Sequence, residues 1–527
     1  MKILIIYRPA LTAMLIAALL SLFSCSKKDS QGTTPEPTPT GPAINSFSAD
    51  TVWIGKIITI NGSGFGATAT ENTVRIGNTA VTEILEAAAT TLTIKVPAGA
   101  TSGKVFVKVN GIEKASAKDL VVVNQMAWQK ALGGTGTDYA LSVKQSSDGG
   151  YLVAGYTYST DGDVTGNHGG YDIWVVKLNA DRTIAWQKAL GGSGNEQAYD
   201  ILPLSDGGCV LAGSTNSQNG DVTRSLGNSD FWIVKLSAAG AIVWEKSYGG
   251  PYADAAYSIK ATSNGYIVAG STASNIDDVS GNHGGNDFWV IKLDANGALT
   301  TQKTFGGTGS DIAHHITATS DGGYLIAGNT SSADGDVSSN QGIADCWVVK
   351  LNASLNIEWQ KTFGGTASET ARSIIPTSDG GSLVAGFTSS TDGNVTGNHG
   401  YSDGWVVKLN VSGSIIWQKT LGGSGSDQVL KIEPAKDGGC IVAGIAGSTN
   451  GDITGNHGGN DGWVVRLNAS GAIVWQKALG GILNDMSFAI TPASGNSFIV
   501  AGTSNSTDGD VSGVHGDYDF WMYKILD

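Results

Sequence analysis

Thirteen of the fourteen tryptophans in this chain fall into two interleaved series with a near-constant step. One series is Trp128, Trp186, Trp244, Trp359, Trp417 and Trp475, with Thr301 standing in the slot between Trp244 and Trp359. The other is Trp174, Trp232, Trp289, Trp347, Trp405, Trp463 and Trp521. The step is 58 residues, shortened to 57 once in each series. A period of this size marks a stacked or circular repeat, in which each unit buries its apolar face against its neighbours.

One unit begins with Ala371-Arg372-Ser373-Ile374-Ile375-Pro376 and turns at Ser378-Asp379-Gly380-Gly381. It continues with Ser382-Leu383-Val384-Ala385-Gly386-Phe387-Thr388, a long polar loop, and Asp403-Gly404-Trp405-Val406-Val407-Lys408-Leu409. It finishes with the turn Asn410-Val411-Ser412-Gly413 and the run Ile415-Ile416-Trp417-Gln418-Lys419-Thr420-Leu421. These are four strands, A to D, and the short Gly-bearing A–B and C–D turns make them antiparallel neighbours. Four strands per repeat is the unit of a β-propeller.

The ends of the array predict closure. It opens on a lone D-type strand, Ala127-Trp128-Gln129-Lys130-Ala131-Leu132, and ends on a C-type strand, Phe520-Trp521-Met522-Tyr523-Lys524-Ile525. Pairing the two completes a seventh unit and removes two exposed sheet edges. The expected fold is all-β: a seven-bladed propeller over residues 125–527, closed by an N-terminal strand. The Ser-Asp-Gly-Gly turn, the Ala-Gly pair of strand B, the Asp-x-Trp-Val-Val-Lys-Leu strand and the Trp-Gln-Lys strand resemble bacterial β-propeller repeats of cell-envelope proteins. Asn468-Ala469-Ser470-Gly471-Ala472-Ile473-Val474-Trp475 is also similar to quinone-dehydrogenase-type propeller repeats, although those are shorter and lack the long B–C loop.

Ahead of the repeats, residues 43–124 hold short β-type runs such as Ile57-Ile58-Thr59-Ile60 and Lys104-Val105-Phe106-Val107-Lys108-Val109, separated by turn residues. That pattern predicts an Ig-like sandwich. Gly55-Lys56-Ile57-Ile58-Thr59-Ile60-Asn61-Gly62-Ser63-Gly64-Phe65-Gly66, with Ile76-Gly77-Asn78 and Val96-Pro97, resembles an IPT/TIG domain. The resemblance implies a spacer or a contacting module and no catalytic role.

The N-terminus reads as an export signal over residues 1–24: Lys2 and Arg8, then the apolar run Ala10–Phe23, too short for a comfortable membrane span. Leu22-Phe23-Ser24-Cys25 resembles the lipobox of bacterial lipoproteins, with Phe23 a bulkier residue than that motif usually carries. The resemblance implies lipidation of Cys25 and, since no Asp follows it, an outer-membrane address. An ordinary cleaved signal is the alternative. Residues 25–42, rich in Pro and Thr, form an extended tether.

A net charge of −14 without a basic stripe argues against nucleic acid as a partner. Cys209, Cys346 and Cys440 lie in separate units and are expected as buried free thiols.

Antiparallel alternation puts the A–B and C–D turns on one face of the disc, and the B–C loops and D–A connections on the other. On the second face, an acid precedes each strand A: Asp138, Glu196, Asp254, Asp311, Glu369, Asp427 and Asp485. They are expected to ring the mouth of the channel, as a candidate ligand or cation site, unless they serve each blade's own turn. Asp-x-Asp pairs in the B–C loops, Asp161 and Asp163, Asp334 and Asp336, Asp508 and Asp510, are candidate Ca²⁺ loops. The alternative is that they cap turns. The Asp before each strand-C tryptophan recurs in every unit, which points to a structural hydrogen bond. His314-His315 is irregular. Otherwise the array's symmetry reads as broken only by small substitutions such as Thr301.

Nothing resembles a nucleophile elbow or a phosphate loop. The expected activity is binding without catalysis: a monomeric, lipid-anchored envelope protein that offers its loop-rich face to a glycan or an envelope or extracellular protein. The alternatives are a polysaccharide hydrolase or lyase using paired acids, and a structural spacer.

Overall fold

The computed structural model describes residues 41–527 apart from positions 54, 98–99 and 124–125. The signal, Cys25 and nearly all of the tether lie outside the described residues. Among the described residues no helix is long and apolar enough to cross a membrane.

Two sheets form the first domain. One orders Ala43–Phe47, Ile57–Ser63, Thr91–Lys95 and Ile84–Ala88; the other orders Thr51–Trp53, Ile112–Val123, Gly103–Val109, Asn72–Ile76 and Thr79–Ala80. Period-2 alternation turns Ile58, Ile60, Val74, Ile76, Leu92, Ile94, Val105 and Val107 into the space between them, all buried. This is the Ig-like sandwich.

Seven four-stranded sheets follow. In blade 1, strands A to D are Asp138–Gln145, Tyr151–Thr157, Asp172–Leu178 and Ile184–Leu190, paired antiparallel in chain order. Blades 2 to 6 repeat this arrangement. Blade 7 takes strands A to C from Asp485–Ala493, Ser497–Ser504 and Asp519–Leu526, and its D strand is Met126–Leu132 from the other end of the array. The closing ladder runs Gln129 against Tyr523 and Leu132 against Phe520. The Thr503 hydroxyl of blade 7 then donates to the Asp138 carbonyl of blade 1 at 3.0 Å, so the disc is shut.

The two tryptophan series do different work. Strand-C tryptophans are at most 2% exposed and fill the space between blades; Trp174 packs on Phe520, Trp289 on Phe231 and Trp347 on Phe288, each with centroids 4.4 Å apart. Their indole N–H groups donate to the residue after the strand-D tryptophan of the same blade: Trp174 to Gln187 at 2.8 Å, Trp405 to Gln418 at 2.7 Å and Trp521 to Gln129 at 3.1 Å. That satisfies the one polar atom of a buried indole, and explains the Gln that follows most strand-D tryptophans. Strand-D tryptophans lie against the C–D turn of the next blade: Trp186 on Gly240, Trp244 on Gly297, Trp359 on Gly413 and Trp417 on Gly471. Those glycines have φ between +76° and +81°, and a Cβ there would press on the indole.

Every A–B pair carries a β-bulge. In blade 1 the register jumps between Ala140 and Ser142, leaving Leu141 without a partner on strand B. The equivalents are Tyr199, Tyr257, His314, Arg372, Leu430 and Phe488. The bulge pushes a strand-A carbonyl onto strand B: a Cβ on Gly155 would collide with the Tyr139 oxygen, and the other six glycines of the Ala-Gly pairs meet the same obstacle. The Ala-Gly motif is the imprint of the bulge.

Candidate functional site

The loop-rich face is where each B–C loop closes over the D–A connections. The seven strand-A acids belong to this packing. Each is 0–1% exposed. Asp138 accepts from Gly134 N–H at 2.9 Å and Ser159 Oγ at 2.8 Å; Asp254, Asp311, Asp427 and Asp485 repeat the pattern with Gly250, Gly307, Gly423 and Gly481 and a serine. Glu196 and Glu369 accept from Gly192 and Gly365, and from the hydroxyls of Thr215 and Thr388 at the end of strand B, each at 2.8 Å; Asp485 takes the same contact from Ser504. The expectation of a carboxylate ring open at the channel mouth is therefore corrected: short donors supplied by the Gly-Gly turn draw each acid into its own blade. Burial raises the pKa of Asp138, Asp254 and Asp485.

The Asp-x-Asp loops bond to the same connections. Asp161 accepts from Thr135 N–H at 2.7 Å and Oγ1 at 2.9 Å, and Asp334 takes both bonds from Thr308 at 2.8 Å. Asp508 accepts from Ile482 N–H at 2.9 Å, while Asp163 and Asp336 accept from Gly133 and Gly306 at 3.3 Å. The Asp510 N–H donates to Gly480 O at 2.9 Å, and its Oδ2 has no hydrogen-bond partner among the described residues. This is the geometry of turn capping. Among the described residues no three His, Cys, Asp or Glu side chains are grouped to hold a metal ion.

The Asp heading strand C accepts from the loop four residues back. Asp172 takes His168 N–H at 2.9 Å and faces His168 Nδ1 at 2.6 Å, and Asp287, Asp403, Asp461 and Asp519 do the same with their histidines. In blades 2 and 4 only the backbone N–H of Leu226 or Gln341 remains. Burial, opposed by that bond and, at Asp230, also by Ser225 and Arg224, and reinforced by the charge of Asp254 or Glu369, pushes Asp230 and Asp345 up to about 6.

With the acids accounted for by the turns, the residues that differ between blades stand out, and they lie in two places. One is an aromatic run at the junction of blades 7 and 1. Tyr139, on the channel wall, stacks on Tyr156 with centroids 5.2 Å apart and planes 5° apart. Tyr156 meets Tyr171 edge-on at 5.1 Å, and Tyr171 meets Tyr158 at 5.3 Å. Tyr518 and Phe488 close on Tyr139 at 5.4 Å and 6.0 Å. Tyr158 is 56% exposed on the loop-rich face. The run thus passes from the surface into the channel. Tyr252, Ile276, Ile343, Tyr401, Ile482 and Leu483 stand exposed elsewhere on that face.

The second place is the channel itself. Because strand A starts on the loop-rich face, the bulge residues form a layer below Tyr139 and line a cavity of ≈ 180 Å³. Below them Asp200 accepts from Lys260 Nζ at 3.2 Å, Ser142 Oγ at 3.2 Å and Ser258 Oγ at 3.3 Å. Burial works to raise its pKa, but Lys260, Lys431 and Lys144 outweigh it and hold the carboxyl below the usual range. Burial and the neighbouring Lys144 bring Lys431 down to about 7. The array's symmetry is therefore broken well beyond Thr301, and most strongly on strand A. The sequence signal is the residue three places after each strand-A acid, which changes from blade to blade; His314 is the one of these positions that the sequence reading singles out.

The class so defined is a closed seven-bladed β-propeller preceded by an Ig-like domain. Within it, residues 42–122 match the IPT/TIG domain family. Regulatory protein FlaEY of Caulobacter vibrioides is 26% identical over 399 residues, covering 67% of this chain and 41% of that protein, so the chain spans less than half of that relative's length. Among solved structures, the Neurospora crassa Pan2 WD40 domain is similar with a TM-score of 0.41 at 11% identity, over 75% of this chain and 95% of that one. An auxiliary nutrient binding protein from Bacteroides thetaiotaomicron is similar with a TM-score of 0.37 at 11% identity, over 92% of this chain and 98% of that one.

Proposed function

We propose that the protein is a non-catalytic binding module of the cell envelope, anchored through lipid on Cys25, which takes a glycan or a protein on its loop-rich face. The observation that carries this reading is the tyrosine run from Tyr158 through Tyr171 and Tyr156 to Tyr139. Tyrosine presents a flat apolar body with a polar rim, which suits it to surfaces that are dry in one state and wet in the other. One blade junction carries the run, while the buried scaffold repeats in all seven. Repetition fits folding, and a non-repeated aromatic cluster, half-buried with Tyr158 exposed at its outer end, fits recognition. A hydrolase would need carboxylates within reach of its substrate, and the strand-A acids are buried and engaged inside the turns.

The test is a binding screen of residues 43–527 against polysaccharides and envelope proteins, with a Tyr158→Ala/Tyr171→Ala variant alongside. Loss of binding at unchanged thermal stability supports the reading. Undiminished binding by the variant overturns it, and new reducing ends released from a polysaccharide overturn the non-catalytic part. Mass spectrometry of the mature N-terminus tests the lipid on Cys25.

A further inference from the structure

Arg372 is the bulge residue of blade 5 and reaches into the channel cavity alongside Tyr199, Tyr257, His314, Leu430 and Phe488. Among the described residues its guanidinium has one hydrogen-bond partner, His314 Nδ1, at 3.3 Å from Nη1. Among the described residues no carboxylate is paired with it, and Asp200, the acid that lines the same cavity, is taken up by lysine and serine. Burial lowers the Arg372 pKa from its ordinary value, yet a guanidinium stays charged in proteins. Arg372 is half-buried, and a partly desolvated cation without a counter-ion is costly and normally paired.

The surroundings hold this cation in a defined pose. His314 Nε2 lies 3.0 Å from Asn329 Oδ1, an acceptor, so Nε2 carries the ring proton and Nδ1 is left to accept from Arg372. Burial first, and then the charge of Arg372, keep His314 well below its usual pKa and hence neutral. With Nη1 engaged, the Nε and Nη2 donors have no hydrogen-bond partner among the described residues, on a side chain that lines the cavity. That edge of the fork matches a carboxylate. Tyr199 and Tyr257 stand 4.8 Å apart, centroid to centroid, and Tyr257 lies 5.6 Å from His314, so the walls beside the fork are rings. A mostly apolar pocket with a few convergent polar groups is the usual form of a small-molecule site.

We infer that the channel cavity binds a small organic carboxylate with a ring-shaped body, its carboxylate seated on Arg372 and its ring against Tyr199, Tyr257 and Phe488. His314 acts as a positioning residue. Two sources share this chemistry, an acidic sugar unit and an aromatic acid. The inference does not depend on the exposed tyrosine run, and the Tyr158→Ala/Tyr171→Ala variant is expected to bind the acid normally.

The experiment is calorimetric titration of residues 43–527 with D-glucuronate and with benzoate, D-glucose serving as the uncharged control. At least one acid is expected to bind and to raise the melting temperature, and the one that binds identifies the source; glucose does not bind. Arg372→Gln is expected to weaken the acid by about tenfold or more, the scale of a lost charge-assisted bond, while melting no lower than the parent because a half-buried charge without a counter-ion has gone. His314→Phe weakens binding, and His314→Gln, which restores an acceptor, recovers it. Binding of neither acid at millimolar concentration, unchanged affinity in Arg372→Gln, or a fall in its melting temperature would overturn the inference.

Discussion

Trp521 donates its indole N–H to Gln129 Oε1 across 3.1 Å, joining residues 392 positions apart in the chain. The same bond within each of the other blades is local in sequence, with a separation of 13 residues. Here it ties the last strand of the array to the first. Gln129→Ala is expected to destabilise the propeller by about 1–3 kcal/mol, since a buried N–H loses its acceptor. Gln187→Ala removes an equivalent bond away from the seam. Urea unfolding with protease sensitivity checks this: the seam variant should expose Met126–Leu132 to cleavage before global unfolding, and the blade 1 variant should not.

Thr301 and Leu355 form a matched exchange. Where strand D of blade 3 has Thr301 in place of tryptophan, the facing turn of blade 4 has Leu355 in place of glycine, fully buried at φ +63°. Thr301→Trp alone should overpack the site, by about 1–3 kcal/mol. Leu355→Gly alone gives up a buried side chain while relieving backbone strain. The double variant rebuilds the arrangement of Trp244 on Gly297. Its unfolding free energy should exceed the sum of the single effects, with a coupling of about 0.5–3 kcal/mol in a double-mutant cycle.

Asp230 and Asp345 give the protein a pH signature. Their folded pKa of about 6 lies above the ordinary carboxylate value, so between those limits the folded state holds more protons than the unfolded one. Their contribution to stability is therefore least favourable at pH 7 and improves as pH falls through 6. Asp230→Asn should reduce the gain in melting temperature between pH 7 and pH 5 relative to the parent. Leu226→His, which supplies the ring nitrogen found in five other blades, should reduce it as well.

Calcium offers a check on the Asp-x-Asp loops. With Asp161, Asp334 and Asp508 already accepting backbone N–H groups, a cation would have to displace those donors. Melting curves with millimolar CaCl₂ and with EDTA are expected to coincide, whereas Asp161→Ala should lower the melting temperature by removing a cap. A rise with CaCl₂ would return the loops to the calcium reading.

The blades could be read from the chain because each buried tryptophan must recur in phase with its neighbours, and the closing pair Gln129 and Trp521 could be read from the incomplete units at either end. The fate of the acids could not. Asp138 in sequence is an acid at the head of the innermost strand; only the folded Gly-Gly turn shows Gly134 N–H reaching back to it. The channel lining was hidden for a different reason. A bulge adds one residue to the alternation of strand A, so Arg372, His314 and Tyr199 occupy positions that a strict period of two assigns less simply to one face. The tyrosine run is not legible in the sequence because Tyr139, Tyr156 and Tyr171 stand on different strands and loops of blade 1 and meet only in the folded blade, where Tyr518 and Phe488 of blade 7 join them.

Since a bulged residue hands no ladder bond to its neighbour, the seven positions from Leu141 to Phe488 can change identity while the tryptophans and the Ala-Gly glycines stay fixed. The disc thereby separates what must be uniform from what can vary. Reshuffling one circle of side chains would retarget the channel to a new small molecule, and libraries confined to those seven codons would explore that range on an unaltered frame.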